Sequence, residues 1–200
     1  MPEPIAQHGI KIAGENPMII LYRPGSDDIV VLVSMWTARY SPVGSGRALL
    51  IWADPGESGL GSGESGLGSG APIGIYTDNP ELAEYVWEHF YRDYDTIRGR
   101  GIETGPPVPA RFVEVSGGDR FHRISCVAAT TTIELEWREV LDCFQVTTHL
   151  TGFETSVVAC PCAAAEVRVN GIAARGEIHQ PEGWFGSSAA LAFAETWREI

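Results

Sequence analysis

Lysine and cysteine are scarce in this 200-residue chain. One lysine stands among 14 basic residues, which face 26 acidic ones and leave a formal net charge of −12. Such a charge repels phosphate backbones and anionic lipid, so we expect neither nucleic acid nor a membrane surface as a partner. Four cysteines are too few for a disulfide scaffold in a chain of this length. We therefore expect reduced, buried thiols at Cys126, Cys143, Cys160 and Cys162.

Long apolar runs are missing too. No segment approaches the roughly 18 consecutive apolar residues of a membrane helix, and residues 1–7 lack the basic start and apolar run of a signal peptide. These absences predict a cytoplasmic protein. The apolar and charged fractions, 44% and 20%, are those of an ordinary globular protein. We expect one β-rich domain over residues 1–200.

Signatures of the common enzyme classes are also absent. The sequence has no serine nucleophile elbow, P-loop, zinc-protease helix or calcium loop. Cys160 and Cys162 would share one face of a strand, but this spacing fixes no further ligand. We predict no cofactor and no metal site.

A tandem heptad, GESGLGS repeated over residues 56–62 and 63–69, dominates the middle of the chain. Its glycine and serine residues cannot bury enough surface to offset the entropy of backbone ordering. We predict a flexible loop over residues 55–71, between strands at Arg47–Ala53 and Pro72–Thr77. Gly61, Gly63 and Gly66 match the spacing of a dinucleotide-binding loop, but no helix start follows, so no such cofactor is expected.

Most other segments read as strands, because they are rich in β-branched and aromatic residues and are separated by turn signals. Gly117-Gly118 and Asn170-Gly171 favour antiparallel hairpins. The predicted strands are Ile10–Ile12, Met18–Tyr22, Ile29–Tyr40, Ala110–Val115, Arg120–Val127, Thr130–Arg138, Phe144–Leu150, Thr155–Cys160, Glu166–Val169 and Ile172–Ile178.

Two segments favour a helix. Asn79 can cap a helix whose first residue is Pro80, and apolar residues at three- and four-residue spacing follow as far as Tyr94. In residues 187–200, alanine-rich composition favours a helix, although the even spacing of Leu191, Phe193 and Trp197 would suit a closing strand. We predict a helix there.

The fold class is therefore mainly β: a β-barrel or a strongly curved antiparallel sheet, with one amphipathic helix and a C-terminal helix. In this general architecture the chain resembles lipocalin-like barrels.

Residues 130–138 alternate most regularly, with Glu134 and Glu136 on the polar face. If that face turns inward, desolvation would raise a carboxylate pKa and suit general acid or base work. A two-residue loop after Val127 would set Arg123 opposite Glu134 as a surface ion pair. A one-residue shift would set His122 opposite a glutamate.

His149 shares a face with Gln145 and Thr147 on the next strand. We therefore take His122, Glu134, Glu136 and His149 as candidate proton-transfer residues. Large aromatic side chains could wall a ligand cavity, and the candidates are Trp36, Tyr40, Trp52 and Trp184.

These features predict binding of a small hydrophobic or aromatic molecule in a β-barrel cavity, with cofactor-independent acid–base catalysis of the hydratase, cyclase or isomerase type. The alternative is a non-catalytic carrier or protein-interaction module that uses an exposed strand edge. The chain could also form a homodimer.

Overall fold

The computed structural model describes residues 9–60, 74–92, 97, 104–118, 120–150, 152–181 and 185–200. This part of the chain is mainly β. Its thirteen strands are β1 Ile10–Glu15, β2 Met18–Tyr22, β3 Ile29–Tyr40, β4 Gly46–Ala53, β5 Gly74–Thr77, β6 Val108–Pro109, β7 Arg111–Ser116, β8 Phe121–Val127, β9 Thr132–Val140, β10 Phe144–Leu150, β11 Phe153–Val169, β12 Ile172–Ala173 and β13 Ala189–Glu199.

The predicted amphipathic helix is confirmed as α1, Pro80–Val86. Asn79 caps it, because the Asn79 side-chain oxygen accepts a hydrogen bond from the Leu82 N–H at 3.2 Å. The helix continues into a π-helical segment at Trp87–Tyr91. In the described residues, no helix is both long enough and apolar enough to cross a membrane.

The strands form one continuous sheet, in the order β6-β5-β4-β3-β1-β13-β11-β9-β8-β7. The sheet folds over along the 17-residue strand β11. The first half of β11 pairs with β10 and β13, and its second half pairs with β9. We call one side of the sheet the first arm. It comprises β1 to β6, β10, β13 and the first half of β11. The second arm holds the rest of β11 with β9, β8, β7 and β12.

The two arms face each other across a filled core. Ile133, Leu135 and Trp137 of β9 are fully buried against apolar side chains of β2, β3 and β4. The other face of the first arm is covered by α1 and the π-helical segment. Strand β3 is thus buried on both faces, and apolar side chains occupy both alternating faces of its first half. The mainly β class and the curved sheet are confirmed, but the sheet is mixed, because β5 and β6 pair in parallel. A lipocalin-like barrel is not confirmed.

The C-terminal helix prediction is wrong. Ala189–Glu199 is strand β13, which pairs with β1, β2 and β11. Alanine has high helix propensity, but backbone pairing with strands on both sides of β13 overrides that propensity here.

The cysteine prediction is only half right. Cys126 and Cys162 are buried free thiols, whereas Cys143 and Cys160 form a disulfide. The pairing follows from register: Phe144 lies opposite Ala159, so the next residues outward, Cys143 and Cys160, face each other with their Cα atoms 4.2 Å apart. A count of cysteines cannot reveal such a cross-strand pair.

The heptad loop lies mostly outside the described residues, which resume at residue 74. Its first turn is packed. Ser58 is fully buried, its hydroxyl donates to the Asp54 carbonyl, and its own carbonyl accepts from the Arg175 N–H at 2.8 Å. At the start of the predicted loop, Ser58 is therefore fixed by hydrogen bonds and buried, whereas residues 55–57 are exposed.

Candidate functional site

A groove of about 830 Å³ opens at one end of the space between the two arms. The β7–β8 hairpin contributes Ser116, Gly118 and His122, and the end of β9 with the following connection contributes Val140, Leu141 and Asp142. The first arm supplies Leu191, Phe193 and the Cys143–Cys160 disulfide. The groove is therefore a mixed site, with apolar walls and a few polar groups.

His122 is the buried ionisable side chain of this groove. Alternation along β8 puts it on the core side with Ile124 and Cys126, so only 5% of the residue is exposed. Its ring lies 5.8 Å from that of Trp137, centroid to centroid. His122 Nε2 is 3.5 Å from Glu114 Oε1 on the neighbouring strand.

Burial sets the protonation of His122. Desolvation lowers the pKa of His122, and the Glu114 carboxylate opposes this shift without reversing it. The imidazole is therefore neutral near pH 7, with Glu114 placed to stabilise the imidazolium once a proton arrives. This combination suits a proton acceptor.

The two predicted glutamates do not reach the groove. They alternate with the buried face of β9 and therefore point to the outer surface of the second arm. Neither register considered above is observed, since Val127 pairs with Thr132 and Arg123 lies opposite Glu136. Arg123 and Glu136 form a surface ion pair at 2.9 Å. An inward-facing Glu134 or Glu136 is thus contradicted.

His149 also lies apart from His122. It stands six residues along β10 from Cys143, about 20 Å at roughly 3.4 Å per residue. Its side chain is 67% exposed and lies 3.8 Å from Glu154. The structure therefore does not assemble a polar lining of His122, Glu136 and His149.

The predicted aromatic walls lie on the other face of the first arm. Trp36 is fully buried beneath α1, and Trp52 packs against the same apolar cluster. Tyr40 is half-buried at the end of β3 and lies close enough to Tyr85 of α1 to contribute to its raised pKa, after burial, the larger cause. Trp184 lies outside the described residues.

Glu195 is a buried acid that sequence analysis missed. It is 2% exposed and faces the α1 side, where its Oε1 accepts hydrogen bonds from Trp197 Nε1 at 2.6 Å and Asn16 Nδ2 at 3.4 Å. Ser34 bridges this pair to the π-helical segment, with its hydroxyl 2.9 Å from Asn16 Oδ1 and 3.2 Å from the Tyr91 hydroxyl. Desolvation raises the pKa of Glu195 to about 7, against the lowering effect of its two donors.

A backbone irregularity puts Glu195 there. Strict alternation would place Leu191, Phe193 and Glu195 on one face, but Ala194 has φ of 51° and the β11–β13 register shifts beside it. Leu191 and Phe193 consequently face the space between the arms, whereas Glu195 and Trp197 face the helix. No sequence signal marks this bulge, because alanine rarely adopts positive φ.

Among the described residues, no three or more His, Cys, Asp or Glu side chains cluster closely enough to hold a metal ion. Cys160 is bonded to Cys143, so Cys160 and Cys162 are not a pair of free thiols. Comparison of the chain with protein-family models, curated proteins and solved structures finds no match.

Proposed function

We propose that the protein binds a small molecule with an apolar or aromatic body in the groove between the arms, and that His122 exchanges a proton with it. The observation that carries this proposal is the combination of an open groove of about 830 Å³ with a buried, neutral imidazole at its inner wall. Apolar walls favour a hydrophobic body, since burying it removes area from water. A single acid–base group favours an isomerase, cyclase or hydratase type of reaction that needs no cofactor.

The proton has a defined path in this proposal. Neutral His122 accepts it from an acidic C–H or O–H of the ligand, and the Glu114 carboxylate 3.5 Å away stabilises the resulting imidazolium. His122 then returns the proton to another atom of the same ligand. Glu134, Glu136 and His149 take no part, because their side chains lie elsewhere.

Binding is tested with a matched pair of substitutions. Leu141 lines the groove and is 43% exposed, whereas Val113 lies on the outer face of β7 and is 58% exposed. A panel of small aromatic and aliphatic compounds is titrated while tryptophan fluorescence and the His122 ring resonances are followed. Leu141→Arg should abolish the response and Val113→Arg should retain it. Equal responses from both variants would place the ligand outside the groove.

Catalysis is tested on the compound that binds best. His122→Gln keeps a hydrogen-bonding side chain but removes the titrating base, so turnover should fall by roughly 10²-fold or more. Binding by the same variant should persist. Unchanged turnover would assign the chemistry to another group.

A non-catalytic protein-interaction role is the second candidate, favoured by the apolar surface of β7. Val113 and Val115 are 58% and 50% exposed on this terminal strand, and an exposed strand edge can pair with another chain. If a homodimer forms through this edge, sedimentation should show a concentration-dependent dimer that Val113→Glu dissociates. A monomer at all concentrations would remove this form of the interaction.

A further inference from the structure

The Cys143–Cys160 disulfide presents its two sulfurs unequally to solvent. Both residues line the groove, yet Cys143 is exposed whereas Cys160 is only 4% exposed. In thiol–disulfide exchange a thiolate attacks one sulfur and the other sulfur leaves, so access decides which one is attacked. From this asymmetry we propose that Cys143 is a thiol-exchange site, at which a small thiol entering the groove forms a mixed disulfide with Cys143 and releases Cys160.

The exchange is balanced without an external oxidant. The incoming thiolate forms a bond to the Cys143 sulfur, the Cys143–Cys160 bond breaks, and its electron pair leaves on the Cys160 sulfur. The incoming thiol is oxidised to the mixed disulfide and Cys160 is reduced. The proton lost by the incoming thiol ends on Cys160, so the products are one mixed disulfide and one thiol.

His122 can carry that proton, because it lines the same groove. A thiol must lose its proton before it attacks, and the imidazole of His122 is neutral near pH 7 and able to accept it. This makes His122 a base for the incoming thiol, with Glu114 as its stabilising partner. The proposal shares the groove and His122 with the proposed function but does not require a non-covalent ligand.

Charge around the groove indicates the class of thiol. Asp142 lies exposed on its wall and Glu114 lies beside His122, while no lysine or arginine is among the described residues that line it. The chain as a whole carries −12. A cationic aminothiol is therefore attracted to the groove and a carboxylate-bearing thiol is repelled.

Burial would also hold the released cysteine as a thiol. Cys162, two residues along the same strand, is buried among apolar side chains, and desolvation raises its pKa to about 11. Cys160 belongs to the same cluster. Desolvation makes Cys160 both a poorer leaving group and a poorer nucleophile, so exchange is slow in both directions and an excess of the small thiol drives formation of the mixed disulfide.

The first experiment follows the intact mass of the native protein, without reductant, during incubation with cysteamine or 3-mercaptopropionate. We expect one adduct, mapped by peptide analysis to Cys143, and one newly free thiol at Cys160. At low salt and equal thiolate concentration, cysteamine should react roughly tenfold faster, and added salt should shrink the difference. Asp142→Asn should also reduce the difference between the two reaction rates. Four free thiols before treatment, an adduct on Cys160, or equal rates would overturn the proposal.

Two variants test separately the access of a thiol to Cys143 and proton transfer by His122. Cys160→Ser leaves Cys143 as a free thiol that should take up cysteamine from cystamine, and no uptake would contradict access to Cys143. His122→Gln should slow exchange at pH 7 by roughly tenfold, yet match the parent protein at pH 9.5, where the thiol ionises unaided. Equal slowing at both pH values would remove His122 from the proton path.

These outcomes are distinct from those of the proposed function. If exchange occurs at Cys143 but no compound of the panel binds, the thiol site is supported and the binding proposal is contradicted. Binding of a panel compound with no adduct at Cys143 would do the reverse.

Discussion

His122 and Glu195 are both almost fully buried ionisable side chains, yet their surroundings differ. His122 lies in the second arm, beside an open groove and 3.5 Å from the Glu114 carboxylate. Glu195 lies on the α1 face of the first arm, where Trp197 and Asn16 are its uncharged hydrogen-bond donors. Burial favours the neutral form at both sites. His122, however, lines the groove between the arms, where a ligand could receive or deliver a proton, and Glu195 does not line that groove.

The two groups make stability depend on pH in opposite directions. The pKa of Glu195 rises from 4.5 to about 7 on folding, so its stabilisation is complete below pH 4.5 and is lost as pH rises through 7. The pKa of His122 falls below 6.5 on folding, so its stabilisation is complete above pH 6.5 and is lost as pH falls through the folded value. Between pH 4.5 and 7 the two effects partly cancel.

The largest effect should come from removing the charge of Glu195. Glu195→Gln keeps the oxygen that accepts from Trp197 and Asn16 but cannot ionise, so it avoids a penalty of about 3 kcal/mol at pH 8. Urea unfolding should show the variant more stable than the parent protein at pH 8 and nearly equal to it at pH 4.5. Glu136→Gln on the outer surface is the control. Equal free energies of unfolding at pH 8 would mean that Glu195 is not a desolvated carboxylate.

A smaller effect should appear when Glu114 loses its charge. Because this carboxylate partly offsets desolvation, Glu114→Gln should lower the pKa of His122 further. An NMR titration of the His122 ring protons measures the shift, and His149, which is 67% exposed, serves as an internal reference. An unchanged His122 titration would show that the 3.5 Å contact carries no electrostatic interaction.

The smallest effect is expected at the Arg123–Glu136 pair, which is partly exposed on the outer surface and lies outside the groove. Its side chains are 48% and 25% exposed, and solvent screens such pairs to about 0–1 kcal/mol. A double-mutant cycle with Arg123→Ala and Glu136→Ala should give a coupling free energy in that range that falls with added salt. A coupling free energy well above that range would mean that this surface pair stabilises the fold as much as the buried groups do.

The sequence predicted much of the fold through local patterns. Met18–Tyr22, Ile29–Tyr40 and Phe144–Leu150 match their strands residue for residue, because β-branched and aromatic residues between turn signals leave few alternatives. The capped start of α1 was equally readable, since Asn79 and Pro80 act on their own backbone neighbours. The prediction of a C-terminal helix was wrong because the alanines favour a helix, whereas pairing with neighbouring strands makes the segment a strand.

The candidate site was predicted only in part. Among the candidate proton-transfer residues, His122 is the one that lines the groove, since alternation along β8 places it with the core side chains. Its partner could not be predicted, because Glu114 comes from β7 and its proximity depends on hairpin register. The Cys143–Cys160 bond depends on register in the same way.

The sequence by itself determined that the chain is mainly β and where α1 begins, because those properties follow from neighbours in the chain. The tertiary structure decided that the sheet folds over at β11 around a filled core. It also decided that β13 is a strand and that a bulge at Ala194 turns Glu195 toward the helix. Those outcomes depend on contacts between residues far apart in sequence, whose register and facing no local pattern specifies.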